Sequence, residues 1–246
     1  MLALISRAAQ GLRRAPGFTA LCVLTLGVAI GADTAVFSIV DAVLLRPLPY
    51  PRADRLVGLW HTLPALGLKQ VGQSDATYLL YRAHRHALAE MAIYRAGLVN
   101  LTGGDAPERV PSARVTSTLF TVLGVAPVLG RVFAAAEERP GAPPVAVLSD
   151  RLWRRRLGGD PRALGRTVRI DGMSVQVIGV MPAGFAFPDL DTALWLPLAI
   201  DPAKAAAGAL NYEGVGRLAP GVTPAAAAAE LNARSWQPSS REAAGR

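Results

Sequence analysis

The chain has little of what most chemistry needs: of its 246 residues only one is cysteine, three are histidine and two are lysine. A lone cysteine, Cys22, excludes an intramolecular disulfide and any thiolate-rich metal site. The histidines give no better prospect. His84 and His86 fall on a stretch that reads as helix, where they point about 200° apart, and no third ligand clusters with them. The chain has no GxxxxGK[ST] phosphate loop and no GxSxG elbow. Gly103-Gly104 and Gly158-Gly159 lack the dinucleotide-binding spacing and read as turns. Ser149-Asp150 has no adjacent base, and Asp189 and Asp191 in PDLD read as a turn rather than an acid pair. No catalytic, cofactor-binding or metal-binding residue is expected, and no cofactor.

Long apolar runs are equally scarce, with one exception. Phe18 to Leu45 contains no Lys or Arg and two carboxylates, Asp33 and Asp41, and no second stretch of spanning length follows it. As a helix rising about 1.5 Å per residue it measures roughly 40 Å, more than the roughly 30 Å of a bilayer core. Two alternatives compete with a membrane span. A buried core helix of this length without a basic side chain is unusual. A signal peptide fits Arg7, Arg13, Arg14 and the small residues 29–32, yet apolar character resumes beyond them. The segment is read as a retained span. Arginines flank it on both sides (Arg7, Arg13 and Arg14 before, Arg46, Arg52 and Arg55 after), so the charge rule gives a near tie for orientation.

The net charge of +8 comes from 24 Arg and the two Lys, Lys69 and Lys204. The densest cluster, Arg151, Arg154, Arg155 and Arg156, lies on a short helix that Ser149 can cap and Gly158 can end. Its apolar side includes Leu152, Trp153 and Leu157. No zinc-finger spacing, RNP pattern or long basic helix accompanies it, so nucleic acid is not an expected partner. An exposed helix face or a contact with acidic protein is the expectation.

Behind the span, roughly 190 residues (46–235) are enough for a sizeable core. Pro47, Pro49 and Pro51 make a stiff exit. The patterning predicts a strand at Val57–Trp60 and a helix over Thr77–Met91 with an apolar side of Leu79, Leu80, Ala83, Ala87 and Met91. Strand pieces follow at Ala92–Tyr94, Leu98–Leu101 and Arg109–Val115, then a short helix at Ser117–Leu123 closed by Gly124. A strand at Val145–Leu148 leads into the Ser149 helix. Asp171-Gly172 marks a hairpin. Strands at Trp195–Leu198 and Tyr212–Leu218 precede a helix that Thr223 caps and Pro224 starts. Irregular alternation of strands and helices argues for an α+β fold. Trp60, Trp153 and Trp195 sit among apolar neighbours and are expected in the core; residues 236–246 read as a disordered tail.

PGFTALCVLTLGVAIGADTAVFSIVDAVLLRPLPYP resembles the first transmembrane segment of MacB-like permeases, a branch of the FtsX-like ABC transporter permeases. The similarity continues through VNLTGGDAPERVPSARVTSTLFTVLGVAPVLGRVF, GAPPVAVLSDRLWRRRLGGDP, VIGVMPAGFAFP and VGRLAPGVTPAAAAAELNA, covering roughly residues 7 to 235. The resemblance implies a cytoplasmic N-terminal segment at 1–17, a transmembrane helix at 18–45 and a MacB-like periplasmic core domain at 46–235. It implies a single-pass protein of the bacterial inner (plasma) membrane with its C-terminal domain outside the cytoplasm. The implied partners are a separate ABC ATPase subunit, the remaining permease spans or a second permease copy, and a periplasmic protein. Relatives often carry Asn at the positions of Asp33 and Asp41, and they continue into further spans. The expectation is therefore an incomplete permease, truncated or split, that does not transport alone. A membrane-tethered binding or scaffold module without a transport role is the alternative.

Overall fold

In the computed structural model the described residues are 16–40, 48–63, 67–83, 86–103, 106–206 and 208–233. They fall into two compact units that divide after Pro49. The first holds helix α1, Pro16–Val40, 25 residues with no basic side chain. Leu21, Leu24, Leu26, Val28, Ile30, Val36 and Phe37 are all more than half exposed. The helix is long and apolar enough to cross a membrane. Its hydroxyls are folded away: Thr25 donates to the Leu21 carbonyl at 2.8 Å, Thr34 to Ile30 and Ser38 to Thr34, both at 2.7 Å. Such back-bonding satisfies polar groups where water is scarce. Asp41 and the last part of the expected span lie outside the described residues, as does the expected tail.

The second unit is mixed α+β, as the pattern implied. A 3-10 turn, Ala53–Arg55, leads into β1 (Leu56–Leu59). A two-stranded ribbon follows, β2 (His61–Leu63) with β3 (Leu68–Val71), and then α2 (Asp75–Ala83). Strands β4 (Leu88–Thr102) and β5 (Glu108–Val115) precede α3 (Leu119–Leu123) and the short β6 (Leu129–Gly130). Next come β7 (Val145–Leu148), α4 (Asp150–Leu157), β8 (Thr167–Ile170), β9 (Met173–Val180) and β10 (Leu194–Pro197). Strand β11 (Glu213–Leu218) and α5 (Pro224–Ala233) complete the order.

Nine strands share one sheet in the order β1-β11-β4-β5-β10-β7-β9-β6, with β8 paired to both β9 and the end of β4. That double pairing closes a circuit through β4, β5, β10, β7, β9 and β8. Only β5–β10 and β7–β9 are parallel. Val99, Val110, Ala146, Ile170, Val177 and Leu194, one from each strand of the circuit, share a core with Leu152 and Trp153 of α4. The alternate residues Val145, Val147, Ile178 and Trp195 join a second core with Leu119, Phe120, Val122 and Leu123 of α3. Period-two alternation thus lets the same strands serve two layers. A third core joins Leu59, Leu88, Met91 and Ile93 to Tyr78 and Tyr81 of α2 and Ala227 of α5.

Local chemistry explains most boundaries. Ser149 accepts a hydrogen bond from the Leu152 N–H and caps α4, which ends at Gly158 with φ 65°. Gly124 ends α3 with φ 71°. Asp171 and Gly172 both have positive φ and turn β8 into β9. Thr223 Oγ1 accepts from the Ala226 N–H at 3.2 Å at the start of α5.

The expected helix over Thr77–Met91 is wrong in its second half. Helix α2 stops at Ala83, and Leu88 to Met91 open β4. The buried side of α2 is Thr77, Tyr78 and Tyr81, not the Leu79, Leu80 and Ala83 stripe. Leu88, Met91, Ala92 and Ile93 are all buried, and the spacing 88, 91, 92 also fits a helical stripe, so the apolar pattern alone does not separate strand from helix. Pairing decides: Leu88 lies opposite Leu218 and Met91 opposite Gly216. The expected pieces at 92–94 and 98–101 are one continuous strand, because residues 95–98 are exposed yet still paired to β5.

Candidate functional site

The densest set of long-range polar ties among the described residues lies where the second unit begins. Tyr50 donates its hydroxyl to the Ala186 carbonyl at 2.6 Å, and its ring meets Phe185 edge-on at 6.2 Å. Burial pushes the Tyr50 phenol up to about 12, so it stays a donor at physiological pH. Arg52 follows in the left-handed region, φ 51° and ψ 52°, unusual for a residue with a Cβ. This conformation turns its carbonyl inward, where it accepts from the Arg217 Nη1 at 3.0 Å. Arg55 donates Nε to the Leu218 carbonyl at 3.0 Å, and its Nη2 reaches the same oxygen.

Arg217 is the centre of this arrangement. It sits in β11 at 7% exposure, with Nε donating to the Val122 carbonyl at 2.7 Å in the last turn of α3. That carbonyl is one of those a helix leaves without an internal partner. No carboxylate pairs with Arg217 among the described residues, and its Nη2 is buried without a hydrogen bond. Burial, then the charges of Arg52 and Arg55, pull its pKa below the usual guanidinium value, with Asp54 opposing. A guanidinium remains a cation even so. One side chain therefore joins three backbone segments, 52, 122 and its own strand, by acting on carbonyls. What the arrangement does is tie distant backbone segments together.

The residues the sequence singled out are scattered. Asp189 and Asp191 form the expected turn, with the Thr192 N–H donating to the Asp189 carbonyl at 3.3 Å. His86 lies past the end of α2, its backbone N–H donating to Glu230 at 2.9 Å, and His84 lies outside the described residues. No cluster that could hold a metal ion occurs among the described residues. The arginines of α4 line an exposed face and pair within the chain: Arg154 with Asp150 at 2.8 Å, Arg155 with Glu108 at 2.6 Å. Trp195 is fully buried, donating to the Phe187 carbonyl at 2.7 Å, and Trp153 is buried against its own core. Trp60 departs from expectation. It is 53% exposed, because it lies in the residue between β1 and β2 with no layer above it. Nothing in the sequence marked Arg217 or Tyr50; a lone Arg in EGVGRL looks like any solvated strand residue.

The family model described as the MacB-like periplasmic core domain matches residues 19–234. The chain belongs to this family. The match takes in most of α1 and all the described elements of the second unit, so the sequence resemblance is upheld. Three solved structures share the fold of the MacB-like core. The periplasmic region of MacB from Actinobacillus actinomycetemcomitans aligns with TM-score 0.51 and 16% identity, over 72% of this chain and 79% of that one. A domain of a permease protein from Porphyromonas gingivalis gives 0.55 and 19%, over 77% and 85%. The extracellular domain of the ABC-type transporter YknZ from Gram-positive bacteria gives 0.52 and 15%, over 72% and 93%. No curated protein matches the chain.

Proposed function

We propose that the chain is the membrane-anchored extracytoplasmic core of an ABC transporter permease. In this reading residues 18–45 span the bacterial inner membrane with 1–17 in the cytoplasm, and 46–235 fold outside it. A separate ATPase drives the assembly, and further permease spans or a second copy pack beside α1. The chain has no catalytic role of its own. The single observation that carries the reading is the family match running from the apolar helix through the whole core. Two structural features support it. Gly27 and Gly31, four residues apart and clear of any neighbour, leave a side-chain-free strip on α1. Such strips let membrane helices approach closely. The ties of Arg52, Arg55 and Arg217 fix the first residues of the core to β11 and α3, and Tyr50 fixes them to the segment between β9 and β10, so motion arriving along the chain moves the sheet as a body.

Alkaline phosphatase fused after Trp236, with cell fractionation, tests the topology. Phosphatase activity in the membrane fraction is the expected result. A cytoplasm-only fluorescent protein that lights up at the same position, with no phosphatase activity, overturns it. Co-purification of an ATPase with the chain tests the coupling.

A further inference from the structure

A cavity of about 420 Å³ opens between β1, the start of β2 and α5. That is within the usual size range of small-molecule sites. Three features define what it accepts. The first is Trp60, an aromatic plate half in water. It is folded back onto Gly58, where even a methyl group would come within 2.2 Å of the ring. A glycine beneath it therefore sets the ring's place at the cavity. The second is the opposite wall, where Ala227, Ala228 and Leu231 of α5 make an apolar surface with Asn232 at its end and no charge.

The third is the polar end, where His61 and Gln73 line the cavity. Gln73 is 1% exposed, and its amide direction is fixed by its bonds: Nε2 donates to the Leu59 carbonyl at 3.0 Å. Its Oε1 then accepts from Thr77 at 3.3 Å and faces the His61 Nε2 at 3.0 Å. The proton of a neutral His61 is therefore on Nε2, and Nδ1 is left as an acceptor. Burial holds the His61 pKa below its ordinary value, against the bond to Gln73, so the ring is neutral at neutral pH. The Tyr81 ring packs on the imidazole at 5.8 Å and keeps its orientation. Among the described residues no hydrogen bond uses Nδ1; the ring's bond is the one at Nε2.

We propose that this cavity is a binding site for small, neutral, flat aromatic molecules that carry one hydrogen-bond donor. The aromatic part stacks on Trp60 and against the α5 alanines, and the donor meets His61 Nδ1. Charged ligands are disfavoured, because no lining side chain supplies a counter-charge. The inference rests on the cavity alone and does not depend on the transporter reading.

The test uses the full chain in lipid nanodiscs and 2-naphthol as the probe. Binding is read by saturation-transfer NMR with empty nanodiscs subtracted. The expected result is saturable binding by the wild type, with 2-methoxynaphthalene, which lacks the donor, binding roughly five-fold more weakly. Ala228→Phe, at an exposed helix position, fills the cavity and abolishes saturable binding, with an unchanged far-UV CD spectrum and thermal melt as the check on folding. No saturable binding above empty nanodiscs overturns the proposal. So does equal binding of the two naphthalenes, which needs no variant at all, or undiminished binding by a folded Ala228→Phe.

Discussion

Arg217 donates to the carbonyl of Arg52 across 165 positions of sequence, one cation reaching a residue that carries a cation of its own. The bond is possible because it uses the backbone of Arg52, while the guanidinium of Arg217 turns its Nε to Val122. Buried arginines are ordinarily matched by carboxylates; this one is matched by carbonyls.

Replacing Arg217 with Met keeps apolar bulk and removes both bonds, leaving the carbonyls of Val122 and Arg52 without this donor. The expected cost is about 1–3 kcal/mol of core stability, since the Val122 carbonyl is left unpaired while that of Arg52 still accepts from the Arg55 N–H at 3.1 Å. Arg217→Lys, with one compact donor head, recovers only part. Thermal melts of the full chain read by near-UV CD give the comparison. A melt unchanged in Arg217→Met removes the structural role assigned here.

Trp60 and Gly58 make a second dependent pair. Gly58→Ala drives the indole off the strand, because the new methyl cannot share the space. The expected cost is under about 1 kcal/mol, because the displaced atoms are the far end of a half-exposed side chain that can swing into solvent. In a Trp60→Ala background the same change costs almost nothing. A double-mutant cycle measures the difference directly; additive effects mean the ring does not rest on Gly58.

Acid stability is expected to depend on Glu137. Its carboxylate takes a bidentate contact from Arg131, at 2.7 and 2.8 Å, and also accepts from the Ala134 N–H. The bond from Arg131, followed by the one from Ala134, lowers its pKa against the opposing effect of burial. A carboxyl with a depressed folded pKa binds fewer protons folded than unfolded, so stability rises with pH across that window. The contribution is complete above the unfolded value near 4.5 and is lost as pH falls through the folded one. Glu137→Gln is expected to be less stable than wild type at pH 7 and to converge with it in strong acid. Urea midpoints at stepped pH check this; a difference independent of pH sinks it.

Local signals in the sequence proved sufficient wherever the deciding chemistry was local. Ser149, Gly124, Gly158, Asp171-Gly172 and Thr223 each fix a boundary through their own backbone preferences or a bond three residues away, and all stand where they were expected. The misses have non-local causes. Met91 belongs to a strand because Gly216 lies opposite, with its Cβ position only 3.2 Å from Leu88, a relation that no window along the chain contains. Trp60 is exposed because no element covers it, and Arg217 is buried because three distant segments converge on it. A closed circuit of strands is likewise invisible until β8 is seen to pair twice. The family, by contrast, was legible, since ordered motifs along most of the chain carry more information than any one contact.

Membrane retention is expected to rest on α1 alone. Leu24 and Leu26 lie near the middle of Pro16–Val40 and are both exposed on the helix. A basic residue at mid-bilayer costs about 2.5–3.5 kcal/mol on insertion scales. Leu24→Arg with Leu26→Arg therefore adds roughly 5–7 kcal/mol, too much for the remaining apolar side chains to offset with both charges more than two turns from either end of the helix. The double variant is expected in the carbonate-soluble fraction, while Leu24→Ala with Leu26→Ala stays with the membrane because alanine leaves the helix apolar. A double-arginine chain that resists the carbonate wash means that α1 is not what holds the protein to the bilayer, and that the contact must be sought elsewhere on the core.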